Sequence, residues 1–502
     1  MAHMRPGGRR AELVAVLSSP DDLGSDRLSG IDPIADGLEV RADLLGDPDP
    51  HRLRRHFTGS LTYCLRTRRH GGRQHVRTAE RSVRLVRAAG SYDLVDLEWP
   101  HDLTPDVLAG VPPEQRRISW HGPETDPDGL RRVFGSMAQV PAALYLLEPA
   151  PGRAAGVSAP LMLSALGRSD VTAFGSGPAG IWTRVLAPWL GAPVMFGRVG
   201  ESGPAGMPSL RQLVMDYGLP ALPELDCLYG IAGVSPGRSL SPRLHNTALR
   251  KLGLRALYLP FPTDSVPRLL RTTQALGVRA GLPLRGLTVI APHKEDALAL
   301  ADEASPAAHE AGAANVLYTA DGRWRADTTD IAGVLGALAA AGLDPAGRSA
   351  AVVGCGGAGR AVALALRQAG ARVTLVNRSP DRGLRAARMT GLSFVPLSRF
   401  SVRGHSLLVH ATPLADHPPF PVAAADPGTA VLELVYGEKP TELMAAARAR
   451  GLPAIDGREV LLIEVHEQFR LLTGYEMPAG TARTLIRAAS GHDSTLCPAE
   501  PI

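Results

Sequence analysis

Only three of the 502 residues are lysines, Lys251, Lys294 and Lys439, so each primary amine is worth locating. Lys294 follows an apolar run in "GLTVIAPHKED", directly behind a Pro-His turn, and Asp330 in "RADTTDIAG" stands where another helix opens. A Lys/Asp pair facing across a cleft supplies the proton transfer that must accompany hydride transfer to or from an alcohol. "RSLSPRLHN" adds two hydroxyls, Ser239 and Ser241, ahead of a helix beginning near Pro242. Hydroxyls at a helix N-terminus make a carboxylate-sized anion site, although Ser before Pro is equally an ordinary cap.

A second constellation lies downstream. "SAAVVGCGGAGRAVALALRQAGARVTLVNRS" reads as a buried strand, a glycine turn, an Ala-rich helix and a second strand. Gly354, Gly356 and Gly359 fall where a dinucleotide-binding βαβ unit needs a tight turn, close approach to a pyrophosphate and helix-strand packing. An NAD site wants a carboxylate at the end of the second strand, whereas this chain has Asn377, Arg378 and Ser379 there. A guanidinium suits a 2′-phosphate, so the expected cofactor is NADP.

These residues need a frame, and the chain is long enough for about three folding units. Hydrophobic residues at 45%, charged residues at 21% and a net charge of +5 exclude a disordered chain or a nucleic-acid-coating tail. Four scattered cysteines suggest neither a disulfide framework nor a zinc site, and the expected compartment is the cytoplasm. No apolar stretch is long enough for a bilayer, and the opening "MAHMRPGGRR", read as a short leader, lacks the apolar core of a secretion signal. The expected partner is a small molecule carrying a carboxylate, with no nucleic acid, no membrane and no metal; an oligomer stays open.

Eight short apolar runs recur at 11–18, 37–43, 60–66, 92–98, 116–119, 142–147, 170–174 and 192–197, most separated by helix-length segments. This pattern predicts a (β/α)8 barrel with its chemistry at the C-terminal strand ends. The Gly/Pro/Leu-rich stretch 203–226 reads as a hinge between independent cores. The expected division is 1–222 for the barrel, 223–330 for a small α/β layer completed by helices in 456–490, and 331–455 for the dinucleotide unit.

From about Tyr229 to Thr484 the chain resembles the shikimate dehydrogenase family. The motifs "YGxxGxxxxxSLSPxxHN", "VxxPHKE", "GAxN", "TD", "GxGGAG", "NRS", "ATPL" and "VY" stand in order. The resemblance implies an oxidoreductase acting on shikimate or a related cyclic hydroxy or amino acid. Ser239 and Ser241 would bind a carboxylate, Lys294 and Asp330 form the catalytic pair, and Asn315 hold a ring hydroxyl. Tyr436 would line the cleft; Gly354, Gly356, Gly357, Ala358 and Gly359 would cradle pyrophosphate, with Asn377, Arg378 and Ser379 around the adenosine phosphate. Two departures bear on specificity. The family's "NVTxPxK" has Thr288 and Ile290 in place of Asn and Thr, and a substrate-binding Gln is replaced by Glu464. A carboxylate there removes two donors and adds charge, which favours an amino group or a differently hydroxylated ring.

The first half, from about Glu12 to Leu213, resembles type I 3-dehydroquinate dehydratase. "LEVRAD" gives Glu39 and Arg41, "LRT" Arg66, "VDLE" Glu98, "ISWHG" His121 and "WTR" Arg184, and Ser202 lies in the last active-site loop. That family forms an imine through a lysine at the end of the sixth strand, where Ala142 is expected here. No lysine exists anywhere in residues 1–250, so the imine step is chemically unavailable. The last loop reads "SGPAGM", placing Gly206 or Met207 where that family has a substrate-contacting Gln. The expectation is a dehydrogenase behind a degenerate barrel. A working bifunctional enzyme, and a non-catalytic sensor of quinate or shikimate, are the alternatives.

Overall fold

The structure is a computed structural model and describes residues 9–74, 76–150, 156–200, 203–414, 417–437 and 439–488. Every one of the eight expected runs falls on a strand, two of which extend one residue further: Glu12–Leu17, Gly37–Arg41, Ser60–Cys64, Leu94–Glu98, Arg116–Trp120, Leu144–Leu147, Val171–Ala173 and Val194–Arg198. They form one parallel sheet in chain order, with the last strand returning to pair with the first. The barrel closes on a seam between Val171–Ala173 and Val194–Arg198, where the Thr172 hydroxyl donates to the Val194 carbonyl at 3.5 Å. Alternation along each strand sends one set of side chains outward to the helices and the other into the barrel. One inner wall is apolar, built from Val14, Val16, Leu146, Phe174, Val194 and Phe196. The other is polar: Arg117 reaches Glu39 and Asp96, both at 2.7 Å.

The second half carries two further six-stranded sheets. The first runs in the order Ala256–Pro262, Cys227–Gly233, Leu284–Val289, Val316–Ala320, Arg323–Asp327, Glu303–Ala304, and its antiparallel hairpin 316–327 delivers the chain to Asp330. The other is wholly parallel, in the order Ser393–Pro396, Arg372–Asn377, Ser349–Val353, Leu407–His410, Ala430–Glu433, Ala454–Ile455. This is the doubly wound arrangement, whose ligand crevice lies where the strand order reverses, beside the end of Ser349–Val353. The helix Gly457–Thr473 then crosses back, burying Leu461, Leu462, Val465 and Phe469 against Ile231 and Tyr258 of the first sheet and Leu244 of the helix Ser241–Lys251.

The expected hinge is a packed seam instead. Residues 203–226 contain the helix Leu210–Tyr217, opened by a reciprocal Ser209/Gln212 cap, and the short strand Ala221–Leu222 paired with Arg9–Arg10. Arg243 of the helix Ser241–Lys251 donates to Asp216 at 2.6 Å, and Trp182 meets Phe261 with ring centroids 5.4 Å apart. One apolar cluster runs unbroken from Leu13 through Leu213 and Leu222 to Leu228, Leu259 and Ala326. The Gly and Pro content reads as turns, but the leucines between them have apolar partners on both sides. Among the described residues no helix is long and apolar enough to cross a membrane.

Candidate active site

Lys294 opens the helix Lys294–Ala299 at the end of strand Leu284–Val289, and Asp330 opens Asp330–Ala340 after the hairpin. The two helix starts face each other. Lys294 Nζ donates to both carboxylate oxygens of Asp330, at 2.8 and 2.7 Å, with side chains only 13% and 6% exposed. Asn315 anchors the pair: its Nδ2 donates to Asp330 Oδ1 at 3.3 Å and to Thr329 Oγ1 at 3.0 Å, and its Oδ1 accepts the Thr329 N–H at 2.8 Å. Gln468, not singled out in the sequence, adds a donor to Thr329 Oγ1 at 3.2 Å. Its spacing of four residues from Glu464 on one helix, one turn further along the same face, is the signal that could have found it.

Ser239 and Ser241 meet at 3.1 Å between hydroxyls, and the Tyr436 hydroxyl lies 3.4 Å from Ser239. Tyr436 arrives from 197 residues downstream, so the cluster exists only in the folded chain. Thr288 is buried and hydrogen-bonded to the Tyr258 hydroxyl. Tyr258 stacks on His245, with ring centroids 4.2 Å apart, and burial pushes that imidazole down to about 3, so it stays neutral. Ile290 packs over Gly233, where a side chain would collide with it.

Glu464 lies against Gly333, with the Asp330 carboxylate as its charged neighbour. Burial, reinforced by the Asp330 charge, pushes its carboxyl up to about 8, against the pull of Lys294. At neutral pH this residue is therefore chiefly a neutral acid, offering one donor and one acceptor much as an amide does. The added negative charge expected from the sequence is cancelled by the proton that burial, with the neighbouring Asp330 charge, obliges it to keep.

Beyond the pair lies the glycine turn. Gly354 has φ +119°, and a Cβ there would stand 2.5 Å from the Ala411 carbonyl oxygen, so only glycine fits. Gly356 precedes the helix Gly357–Gln368 without a capping side chain, leaving the first N–H groups of Gly357, Ala358 and Gly359 free for an anion. A Cβ on Gly357 would come 2.7 Å from Ala313 Cβ and 2.9 Å from Lys294 Cβ. The turn and the Lys/Asp pair are thus immediate neighbours, lining one crevice. At the next strand end, Asn377 is engaged with backbone, accepting from Cys355 N at 3.4 Å and donating to Ser379 O at 2.9 Å, while Ser379 caps the helix Pro380–Thr390. Arg378 is exposed and, among the described residues, has no ion-pair partner.

The barrel mouth gathers a separate set. Arg66, His121 and Arg184 converge on Glu148, with contacts of 3.7, 3.1 and 3.1 Å. Burial and the nearby Arg66 charge push the His121 imidazole down, against the opposing pull of Glu148. Burial raises the Glu148 carboxyl, but the His121 hydrogen bond and the Arg184 and Arg66 charges outweigh it and hold it well below the usual carboxylate range. Glu98 accepts from Thr67 and from His70, the latter at 3.0 Å, and against burial these bonds and the Arg81 charge bring it down to about 2. The His70 and His121 rings are 5.4 Å apart. Glu39 sits deeper, with Arg117, and Arg41 is tied to Asp43 by two bonds of 2.8 Å. Ser202 lies outside the described residues.

One placement needs correction. Ala142 precedes strand Leu144–Leu147 and so lies at the end of the barrel opposite the mouth. The residue of that strand end whose side chain enters the mouth is Glu148. Glu148, His70, Asp96 and Arg117 were missed by the sequence reading, although the two-residue spacings 96/98, 117/119/121 and 146/148 mark inward positions.

Residues 231–317 match the shikimate dehydrogenase substrate-binding domain, and residues 14–221 match type I 3-dehydroquinase. The shikimate dehydrogenase (NADP(+)) of Acidiphilium cryptum is 41% identical over 244 residues, 47% of this chain and 86% of that protein. That of Rubrobacter xylanophilus is 39% identical over 291 residues, 54% of this chain and 99% of that protein. Among solved structures, shikimate 5-dehydrogenase from Thermus thermophilus in complex with NADP(H) and shikimate shares 36% identity, covering 52% of this chain and 99% of that one at a TM-score of 0.47. Dehydroquinate dehydratase and shikimate dehydrogenase from S. pombe shares 22% identity over 96% of this chain and 98% of that one, at a TM-score of 0.42. With nearly the full length of the Rubrobacter protein matched, this chain belongs to the shikimate dehydrogenase family and carries a type I 3-dehydroquinase-like barrel ahead of that unit.

Proposed function

We propose that the chain is an NADP-dependent dehydrogenase of the shikimate type, acting on a ring hydroxyl or ketone of shikimate or a closely related cyclic hydroxy acid, with a barrel that forms no Schiff base. The observation that carries this reading is Lys294 held on both oxygens of Asp330 beside the Gly357 turn. NADP, when bound, supplies or accepts the hydride. Lys294 Nζ gives a proton to, or takes one from, the reacting ring oxygen, and Asp330 keeps the amine oriented and balances its charge. Ser239, Ser241 and Tyr436 hold the substrate carboxylate, and Asn315 and Thr288 meet ring hydroxyls. Gly354, Gly356, Gly357, Ala358 and Gly359 cradle the pyrophosphate, and Arg378 faces the 2′-phosphate. Mixing the protein with NADP+ and shikimate and following the absorbance of the reduced cofactor tests the reading. A flat trace across shikimate, quinate and aminoshikimate would overturn it and favour ligand sensing without turnover.

Two further results are expected. Arg378→Ala removes one charge-assisted contact at an exposed position, so KM for NADP+ should rise about tenfold, equivalent to roughly 1.4 kcal/mol, with kcat little changed. Retention of the parent KM would show that Arg378 does not face the phosphate. Glu464→Gln replaces a neutral acid by an amide of the same shape. Near pH 7 the variant should keep the parent preference among shikimate, quinate and aminoshikimate. Above about pH 8 the parent carboxyl ionises beside Asp330, so its KM should rise while that of Glu464→Gln stays flat. Matching pH profiles would remove Glu464 from the substrate cleft.

A further inference from the structure

The barrel mouth holds a carboxylate, and it belongs to the chain. Glu148 follows strand Leu144–Leu147, two residues beyond the inward-facing Leu146, and its carboxylate meets Arg184, His121 and Arg66. The four side chains are at most 11% exposed. Arg184 also lies over the Phe174 ring at 3.8 Å, which fixes its guanidinium. Two oxygens cannot satisfy all the nitrogens gathered here. Arg66 Nε, Arg184 Nε and His121 Nε2 are buried and have no partner among the described residues. A mouth built only to make an ion pair would not leave three buried nitrogens unused, because each costs free energy to desolvate. A larger anion carrying further oxygens would engage the two guanidinium Nε–H groups, and a hydroxyl on it would donate to the bare Nε2 of the neutral His121.

We propose that Glu148 is a built-in occupant of the anion position formed by Arg66, His121 and Arg184, so that a small organic carboxylate enters this mouth only when Glu148 is absent or displaced. Glu148 neutralises cations that would otherwise be buried without a counter-charge, and thereby keeps the barrel folded while closing it to ligands. This extends the reading of the barrel as lacking amine catalysis, and the two fail separately.

The test uses the full chain and two probes. Glu148→Ala opens the position, and sodium acetate, but not sodium chloride at equal ionic strength, should raise its melting temperature by a few degrees relative to the parent protein. No acetate-specific rise, or an equal rise in the parent, overturns the proposal. Glu148→Ala/Arg184→Ala should lose the rescue. Should neither variant fold, the parent protein decides: calorimetric titration with shikimate should give one site per chain, in the dehydrogenase cleft, and a second site lost in Ser202→Ala or Arg184→Ala would overturn the proposal. Finding no site at all in the parent would refute the substrate reading while agreeing with a mouth closed by Glu148. Robust loss of dehydroquinate inhibited by borohydride would instead refute the barrel's lack of imine chemistry.

Discussion

Lys294→Met should lower kcat for shikimate oxidation by about 10²- to 10⁴-fold, the range that a positioned proton-transfer group supplies. The argument is geometric. Lys294 Nζ is fixed by two bonds to Asp330, and its aliphatic stem stands against the first turn of the cofactor helix, so the amine is confined to the crevice where hydride and proton must both move. Methionine, one atom shorter, keeps most of the packing but carries no proton to transfer. The loss should fall on kcat, with KM for NADP+ unchanged, because the glycine turn makes its anion contacts through backbone N–H groups. Asp330→Asn should be milder, since the amide still accepts from the amine but no longer balances its charge. Steady-state kinetics at saturating NADP+ would check both, and a Lys294→Met enzyme within a few-fold of the parent would remove the lysine from the mechanism.

Arg117→Met should destabilise the barrel by about 3–5 kcal/mol, the cost of breaking a buried ion pair from one side. Arg117 is nearly inaccessible and bonds Glu39 and Asp96, both buried; Asp96 also accepts from Ser119 at 3.0 Å. Removing the guanidinium leaves two carboxylates facing each other inside a barrel. The pH dependence gives a second readout. Burial raises the Asp96 carboxyl, but the Arg117 charge and hydrogen bond bring it below its ordinary value. A depressed carboxyl contributes stability that is present above its unfolded pKa and lost as pH falls through the folded one. Without Arg117 the carboxyl rises, so the variant should lose less stability on acidification than the parent does. Denaturant unfolding at pH 7 and pH 3 measures both effects, since the parent's loss sets in only below the ordinary carboxylate value. A variant as stable as the parent at pH 7 would show that the polar wall carries no net stabilising charge.

Local pattern carried far in this chain. Eight apolar runs at the right intervals predict a barrel because alternation and crossover length leave few other ways to bury them, and the strand-glycine-helix run predicts the dinucleotide unit because only glycine serves Gly354. Lys294 and Asp330 were also legible, each being a charged residue placed at the start of a helix. The hinge was misread for a physical reason: turn residues are visible one at a time, whereas the apolar partners of Leu213 and Leu222 come from distant segments.

What lay beyond the sequence was every property that depends on two remote side chains sharing one space. The identity of Glu464 was plain, but its charge was decided by burial and, second, by Asp330, 134 residues away in the chain, because a buried carboxyl beside another holds its proton. The missing lysine could be counted in residues 1–250, yet what took over the mouth could not. Only the folding of three distant strand ends and a helix around one point brings Arg66, His121 and Arg184 onto Glu148. Sequence specifies the residue types and the local geometry that short-range sterics enforce; ionisation and occupancy follow from fields and contacts that exist only after the chain has closed on itself.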